Sequence, residues 1–142
     1  MIDTSGYEPF KGKLLYHAAM SLGITGQWLA GRIRRVISKP GKESLASQRR
    51  AGRKTPIYTP SRPGEPPRRD TGTLMKSIVS PPAQLEGKVL RVYVGTGLAY
   101  GRYLERGTRI MLARPYLEVT LRRHRMGLVR VFVHEMKRRM SR

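Results

Sequence analysis

The sequence predicts an α+β protein with one long N-terminal helix, a small mostly antiparallel β-sheet and a long C-terminal helix packed on that sheet. Three observations lead to this prediction. Apolar residues recur at helical spacing near both ends of the chain, two-residue alternation occurs only in the second half, and prolines crowd the middle. A length of 142 residues suits one domain with a single core. We therefore interpret residues 1–142 as a single domain with a basic, proline-rich extended loop at about 38–70.

The first helix is predicted over residues 10–37. Its main apolar stripe consists of Leu14, Leu15, Ala18, Leu22, Leu29, Ile33 and Val36. A second apolar patch, formed by Met20, Ile24 and Trp28, lies on another side of the helix. Two apolar sides are compatible with two arrangements. The helix packs either against its own core and a second molecule, or on both sides within one domain.

The loop at 38–70 is both basic and rich in proline. It holds nine basic and three acidic side chains, and its prolines stand at positions 40, 56, 60, 63, 66 and 67. Proline removes a backbone donor and fixes φ, which excludes a long helix or a central strand here. A local cluster of Arg49, Arg50, Arg53 and Lys54 either attracts the phosphate backbone of a nucleic acid or belongs to a loop that wraps a neighbouring subunit.

A short helix and two paired strands are predicted next. Asp70 or Thr71 is expected to cap a helix that ends at Ser77, through a side-chain oxygen that accepts a free N–H. Residues 78–79 then begin a strand, and residues 88–95 return antiparallel to it. The inward face of the returning strand would carry Leu90, Val92 and Val94.

Glycines and a proline predict where the following elements begin and end. Residues 95–97 (Gly-Thr-Gly) are expected to break the strand, because glycine enters positive-φ turns without steric cost. A short helix follows over 99–106, and Gly107 stops it as a C-cap. Pro115 predicts the first turn of the last helix.

The last helix has two distinct sides. One side carries Leu117, Leu121, His124, Leu128, Val131, Phe132 and Glu135. The opposite side carries Arg123, Arg130 and Lys137 at intervals of seven residues. A basic stripe of this kind suits a surface between subunits or one that faces a lumen, and Gly127 is expected to divide the helix in two.

Charge is the strongest compositional feature of the chain. There are 29 Lys and Arg against 9 Asp and Glu, giving a net charge of +20. A chain this basic associates with polyanions or acidic partners. Nucleic acid is the first candidate, an acidic protein the second, and a merely solvated charged surface the third. No apolar run approaches the roughly 20 residues that span a bilayer, so no membrane partner is predicted.

Candidate chemistry is sparse, and we predict that the protein is not an enzyme and binds no cofactor. The chain has no cysteine, and its three histidines are too far apart in sequence for a metal-ligand motif. Glu105 is the most suggestive carboxylate, but it stands near several arginines and is expected to form an ion pair. Paired carboxylates placed for two-metal nuclease chemistry are absent from the sequence.

Two stretches carry a resemblance to a known family. The first is Asp70-Thr71-Gly72-Thr73-Leu74-Met75-Lys76-Ser77-Ile78. The second comprises Val94-Gly95-Thr96, Ala99-Tyr100, Tyr103-Leu104-Glu105, Gly107-Thr108, Met111 and Ala113-Arg114-Pro115-Tyr116-Leu117. Together they resemble the tail-completion, or neck, proteins that join head to tail in long-tailed bacteriophages, related to the minor tail protein Z group. The residues that match the family motif are Gly72, Leu74, Gly95, Tyr100, Glu105, Gly107, Thr108, Arg114 and Pro115.

The resemblance implies a structural virion protein, assembled in the host cytoplasm into a ring at the head–tail junction. A homo-oligomeric ring of roughly six or twelve subunits would join the head-side connector, or head-closure protein, to the tail terminator or tail tube protein. It would surround the DNA channel and touch DNA without sequence preference. The candidate DNA-facing residues are Arg49, Arg50, Arg53, Lys54, Arg123, Arg130 and Lys137. The alternative is a stand-alone basic nucleic-acid-binding protein.

Overall fold

The computed structural model describes residues 7–41, 49–52, 54 and 59–141. The helices are α1 (Tyr7–Val36), α2 (Thr73–Ser77), α3 (Ala99–Arg106) and α4 (Leu117–Met140). The strands are β1 (Ile78–Val79), β2 (Gln84–Glu86), β3 (Val89–Arg91) and β4 (Gly95–Thr96). The predicted α+β class is confirmed, with a long helix near each end and short antiparallel strands between them.

The main packing contact joins the two long helices. The C-terminal helix α4 packs chiefly against α1, and not on the sheet as expected. The Trp28 ring meets the His124 ring edge to face at 5.6 Å between centroids and lies against Gly127, where a Cβ would stand 2.8 Å from Cη2 of Trp28. Gly127 therefore does not divide α4. It leaves room for an indole ring within a continuous helix.

The core lies under the C-terminal half of α1. The buried apolar residues are Leu29, Ala30, Ile33, Ile37, Ile78 and Tyr116. The C-terminal half of α1 thus packs on two sides within the domain, with Leu29 and Ile33 in the core and Trp28 against α4. In the N-terminal half, by contrast, the stripe residues Leu14 and Leu15 are exposed.

The strands form two separate pairs where one returning strand was expected. Strand β1 pairs antiparallel with β4, so that Ile78 stands opposite Thr96, whereas β2 and β3 form a hairpin of their own. Gly87, at φ +62°, occupies the turn of that hairpin. The predicted alternation is confirmed along residues 90–94, where the apolar side chains are half-buried and the others exposed.

Three predicted element ends differ from the structure. Gly95 and Thr96 form β4, which pairs with β1, and neither Gly95 nor Gly97 has positive φ, so the Gly-Thr-Gly segment does not break the strand pairing as expected. The N-cap of α2 is Gly72, at φ +86°, although the Thr71 hydroxyl oxygen does accept the Thr73 N–H, at 3.4 Å. Pro115 precedes the N-cap of α4 and is not in its first turn. For Gly95 the cause is a distant contact, the pairing of β4 with β1.

The proline-rich segment is anchored at both ends. Lys39 and Gly41 exchange backbone hydrogen bonds with Arg69, each at 2.8 Å, and Thr59 N–H donates to the Gly41 carbonyl at 2.7 Å. Farther along, Gly64 N–H donates to the carbonyl of Ala113 at 2.9 Å. These bonds hold the described part of the segment between the end of α1 and the start of α4.

Two glycines of α1 offer a matched test of this packing. A Cβ at Gly26 would overlap the Ser80 hydroxyl and stand 2.6 Å from a methyl of Val92, whereas one at Gly31 meets nothing within 4 Å. We expect Gly26→Ala to lower the free energy of unfolding by about 1–3 kcal/mol through overpacking. Gly31→Ala should raise it by up to about 1 kcal/mol, because alanine favours the helix. Denaturant unfolding of both variants measures the difference, and equal effects would contradict the contact of α1 with the strand region.

Candidate nucleic-acid interface

The carboxylate of Glu105 holds the N-terminus of α4. It accepts hydrogen bonds from the backbone N–H groups of Tyr116, Leu117 and Glu118, at 2.8, 2.9 and 2.9 Å. These donors begin a helix and have no partner within it, and a negative charge there also opposes the positive end of the helix dipole. The expected ion pair of Glu105 with a neighbouring arginine is therefore incorrect. Its role is to cap a helix from the end of the preceding one.

A rigid turn connects α3 to α4. Gly107 has φ +78° and ψ 179°, and its N–H donates to the Tyr103 carbonyl at 2.8 Å. Essentially only glycine adopts this conformation, and a Cβ would stand 2.8 Å from the Met111 carbonyl oxygen. The predicted C-cap is confirmed. Thr108 closes the turn, because its N–H donates to Met111 O and its Oγ1 accepts the Met111 N–H, at 2.8 and 3.1 Å.

The turn presents two apolar side chains to solvent. Ile110 is 97% exposed and Leu112 is 71% exposed. We call the segment 108–112, with these two side chains, the apolar tip. Its hydrogen bonds fix the backbone before any partner is met, so a partner would order little further.

Tyr116 lies at the junction of the capping contact and the core. Its side chain is fully buried, and its hydroxyl donates to the Gly101 carbonyl at 3.3 Å. Burial raises the pKa of Tyr116 to about 12, and the nearby negative charge of Glu105 contributes to the increase. The phenol is thus held in its neutral form.

Other residues of the family motif gather around the same helices. Leu74, Tyr100 and Arg114 line a cavity of about 150 Å³ between α2, α3 and the segment before α4. Arg114 also ties that segment to α3, since its N–H donates to the Leu104 carbonyl at 2.7 Å. The motif residues are therefore largely structural. Glu105 and Arg114 in particular fix where α4 begins.

The basic residues singled out from the sequence lie in separate places. Arg49, Arg50 and Lys54 are exposed in the described part of the loop, and Arg53 lies outside the described residues. Arg123, Arg130 and Lys137 are exposed along α4. Among the described ones, Arg123 lines a sizeable concave surface.

That surface is a groove of about 670 Å³ between the end of α1, the segment 64–68 and the first half of α4. We call it the basic groove. Its cationic lining residues are Arg32, Arg35, Lys39, Arg68 and Arg123. Glu65 is the single carboxylate among its lining residues, and valine and proline side chains complete the lining together with Gly64, Thr120 and His124. The guanidinium of Arg32 lies over the Trp28 ring, 4.7 Å from its centroid.

Sequence reasoning identified Arg123 but not the other four cations of the basic groove. Arg32 and Arg35 are three residues apart, which places them near one face at the end of α1, and Lys39 follows three residues after that helix ends. That spacing could have indicated a cluster of cations near the end of α1. Their convergence with Arg68 and Arg123 depends on contacts between distant segments and has no counterpart in the local sequence.

The described residues offer little other chemistry. Within the described ranges, no group of three His, Asp or Glu side chains is placed to hold a metal ion. In the same part of the chain, no helix is long and apolar enough to cross a membrane.

Removal of the Glu105 carboxylate should destabilise the protein. We expect Glu105→Ala to lower the free energy of unfolding by about 2–3 kcal/mol, because three backbone N–H groups lose a charged acceptor. Glu118→Gln is the control. This exposed carboxylate pairs only with Arg122 on the same helix, and its loss should cost about 0.5 kcal/mol or less. Chemical denaturation compares the two variants, and similar losses would contradict the capping role.

The raised pKa of Tyr116 predicts a loss of stability at alkaline pH. The folded pKa of about 12 exceeds the unfolded value of about 10, so the folded state retains a proton that the unfolded state releases. The stabilisation is complete below about pH 10 and is lost as the pH rises to about 12. Tyr116→Phe should therefore show a shallower decline of unfolding free energy over this range. An identical pH dependence in both proteins would show that Tyr116 titrates normally.

Comparison of the chain with protein-family models, with characterised proteins and with solved structures gives no match. Its function has to be inferred from the charges, contacts and exposed surfaces of its own residues.

Proposed function

We propose that this chain is a structural virion protein of the phage neck, which forms a ring at the head–tail junction and surrounds the DNA channel. The observation that carries the proposal is the apolar tip. Ile110 is 97% exposed on a turn fixed by Gly107 and Thr108, a combination that suits insertion into a neighbouring subunit. The sequence resemblance supplies the identity of the assembly.

The way the motif residues are used supports a structural role. Glu105, Gly107 and Thr108 hold backbone in place, and none of them is placed to act on a substrate. A ring subunit needs such rigid connections, because each copy must present the same surfaces at fixed angles to close the ring. The proposal accordingly includes no catalytic residue and no cofactor.

The charge of the chain supports a position beside DNA. A net charge of +20 makes crowding of identical copies unfavourable unless a polyanion offsets it. DNA in a central channel would provide that offset. Contact through phosphates would be independent of sequence and would let DNA slide. The remaining partners would be the head-side connector and the tail terminator or tail tube.

A stand-alone nucleic-acid-binding protein is the second candidate, favoured by the basic groove, which a monomer already possesses. The two candidates differ in the mass of the particle in solution. A ring component forms a closed homo-oligomer or co-purifies with phage tails, whereas a stand-alone factor remains monomeric or dimeric on host nucleic acid.

Changing the apolar tip tests the ring. We expect Ile110→Ser combined with Leu112→Ser to convert the oligomer to monomers, because the exposed apolar area that would be buried between subunits is removed. Light scattering after size-exclusion chromatography measures the mass. The control is Val129→Ser combined with Met140→Ser, which removes two side chains exposed on α4 to 54% and 59% and should leave the mass unchanged.

A monomeric unmodified protein that also fails to join phage tails would refute the ring. Loss of the oligomer in the control as well as in the tip variant would show that assembly depends on general surface hydrophobicity. Because the chain has no cysteine, an engineered Ile110→Cys variant can also be labelled at that one position. The label should become protected on assembly, and full reactivity in the assembled particle would place the tip outside the contact.

A further inference from the structure

We propose that the basic groove is a binding site for the sugar–phosphate backbone of DNA. It differs from the exposed stripe of α4 and from the loop cluster, which were the candidates from sequence. Arg123 is common to the groove and the stripe. The inference rests on the proposed function only in naming DNA as the polyanion, since a groove of this kind would bind DNA in a monomer as well as in a ring.

The balance of charge in the groove favours a polyanion. Five of its lining residues are arginine or lysine, and one is a carboxylate. Of the described acidic side chains, none forms an ion pair with Arg35, Lys39 or Arg123. Concave walls of low dielectric focus the field of these three cations, so the attraction for phosphate is stronger than on a convex surface.

Parts of the groove are ordered before any anion binds. Arg32 stacks on the Trp28 ring, and a stacked guanidinium loses less freedom when it binds an anion. The segment that contributes Arg68 is anchored on both sides, at Gly64 by the hydrogen bond to Ala113 and at Arg69 by its bonds to Lys39 and Gly41. The groove thus combines one stacked guanidinium with an anchored backbone segment.

The lining of the groove indicates contact with the backbone and not with bases. Proteins that stack bases use exposed aromatic rings, and the described lining residues of the groove include no Phe, Tyr or Trp. The one ring system there is the half-buried imidazole of His124, already packed edge to face on Trp28. Binding through this site should therefore be independent of sequence.

Two triple variants of equal charge change test the site. The groove variant combines Arg35→Gln, Lys39→Gln and Arg123→Gln. The stripe variant keeps Arg123, which belongs to the groove, and combines Arg130→Gln and Lys137→Gln of the stripe with Arg125→Gln to match the change of charge. All three side chains are exposed on α4 and outside the groove. Binding of each full-length protein to a short fluorescent DNA duplex is measured between about 50 and 200 mM salt.

The slope of log affinity against log salt is negative, and we expect it to become shallower by about 0.9 for each phosphate that a variant no longer neutralises. The groove variant should therefore lose up to about 2.7 of the magnitude of this slope. The stripe variant should change the slope by less than the roughly 0.9 expected for one phosphate contact. A larger change of slope in the stripe variant, or equal changes in both variants, would contradict the proposal that the groove binds DNA. The helical circular dichroism of both variants should match the unmodified protein, since all six side chains lie at the surface.

A third variant changes binding in the opposite direction, so its result cannot be mistaken for damage to the fold. Glu65→Gln removes the one carboxylate of the groove, an exposed group whose only described hydrogen bond is a 3.2 Å contact from the Arg62 N–H. We expect it to tighten DNA binding by roughly 1.5- to fivefold, the range typical of exposed charge pairs. Unchanged or weaker binding would overturn the site. Particle mass, measured on the same samples, reports separately on the ring.

Discussion

The structure depends on one capping interaction. The Glu105 carboxylate, at the end of α3, accepts hydrogen bonds from three backbone N–H groups at the start of α4. This contact sets where α4 begins, and α4 in turn supplies the surface on which Trp28 of α1 packs and one wall of the basic groove. A substitution at Glu105 would therefore disturb both the packing of α1 on α4 and the shape of the basic groove. A carboxylate that resembles a catalytic residue by its place in a motif is here a structural one.

Features that depend on neighbouring residues could be predicted from the sequence. The long helices, the alternation along residues 90–94 and the cap at Gly107 follow from periodicity and from the freedom of glycine. Features that depend on distant residues could not. The roles of Gly127 and Glu105 are set by a ring and by backbone groups that are brought close only in the folded chain. The candidate site shows the same division, since Arg123 was identified and its four cationic neighbours were not.

The same chain combines a small core with a strongly charged and partly apolar surface. Six apolar residues are buried among those described, while Ile110 and Leu112 remain in solvent. A core of this size offers limited stabilisation on its own, and the positive charge opposes compaction. Partners of two kinds would offset these two effects. An apolar neighbour would cover the tip, and a polyanion would neutralise the groove.

The contact between Trp28 and Gly127 joins residues about a hundred positions apart. During synthesis α1 leaves the ribosome before α4, so the indole ring of Trp28 stays uncovered until α4 has formed. The turn and cap between α3 and α4 are local, and closing a short segment costs less entropy than closing a long one. We therefore expect the turn and cap to form in a local step and α1 to dock afterwards. Until that docking, the nascent chain exposes the apolar side of α1 and is open to premature association.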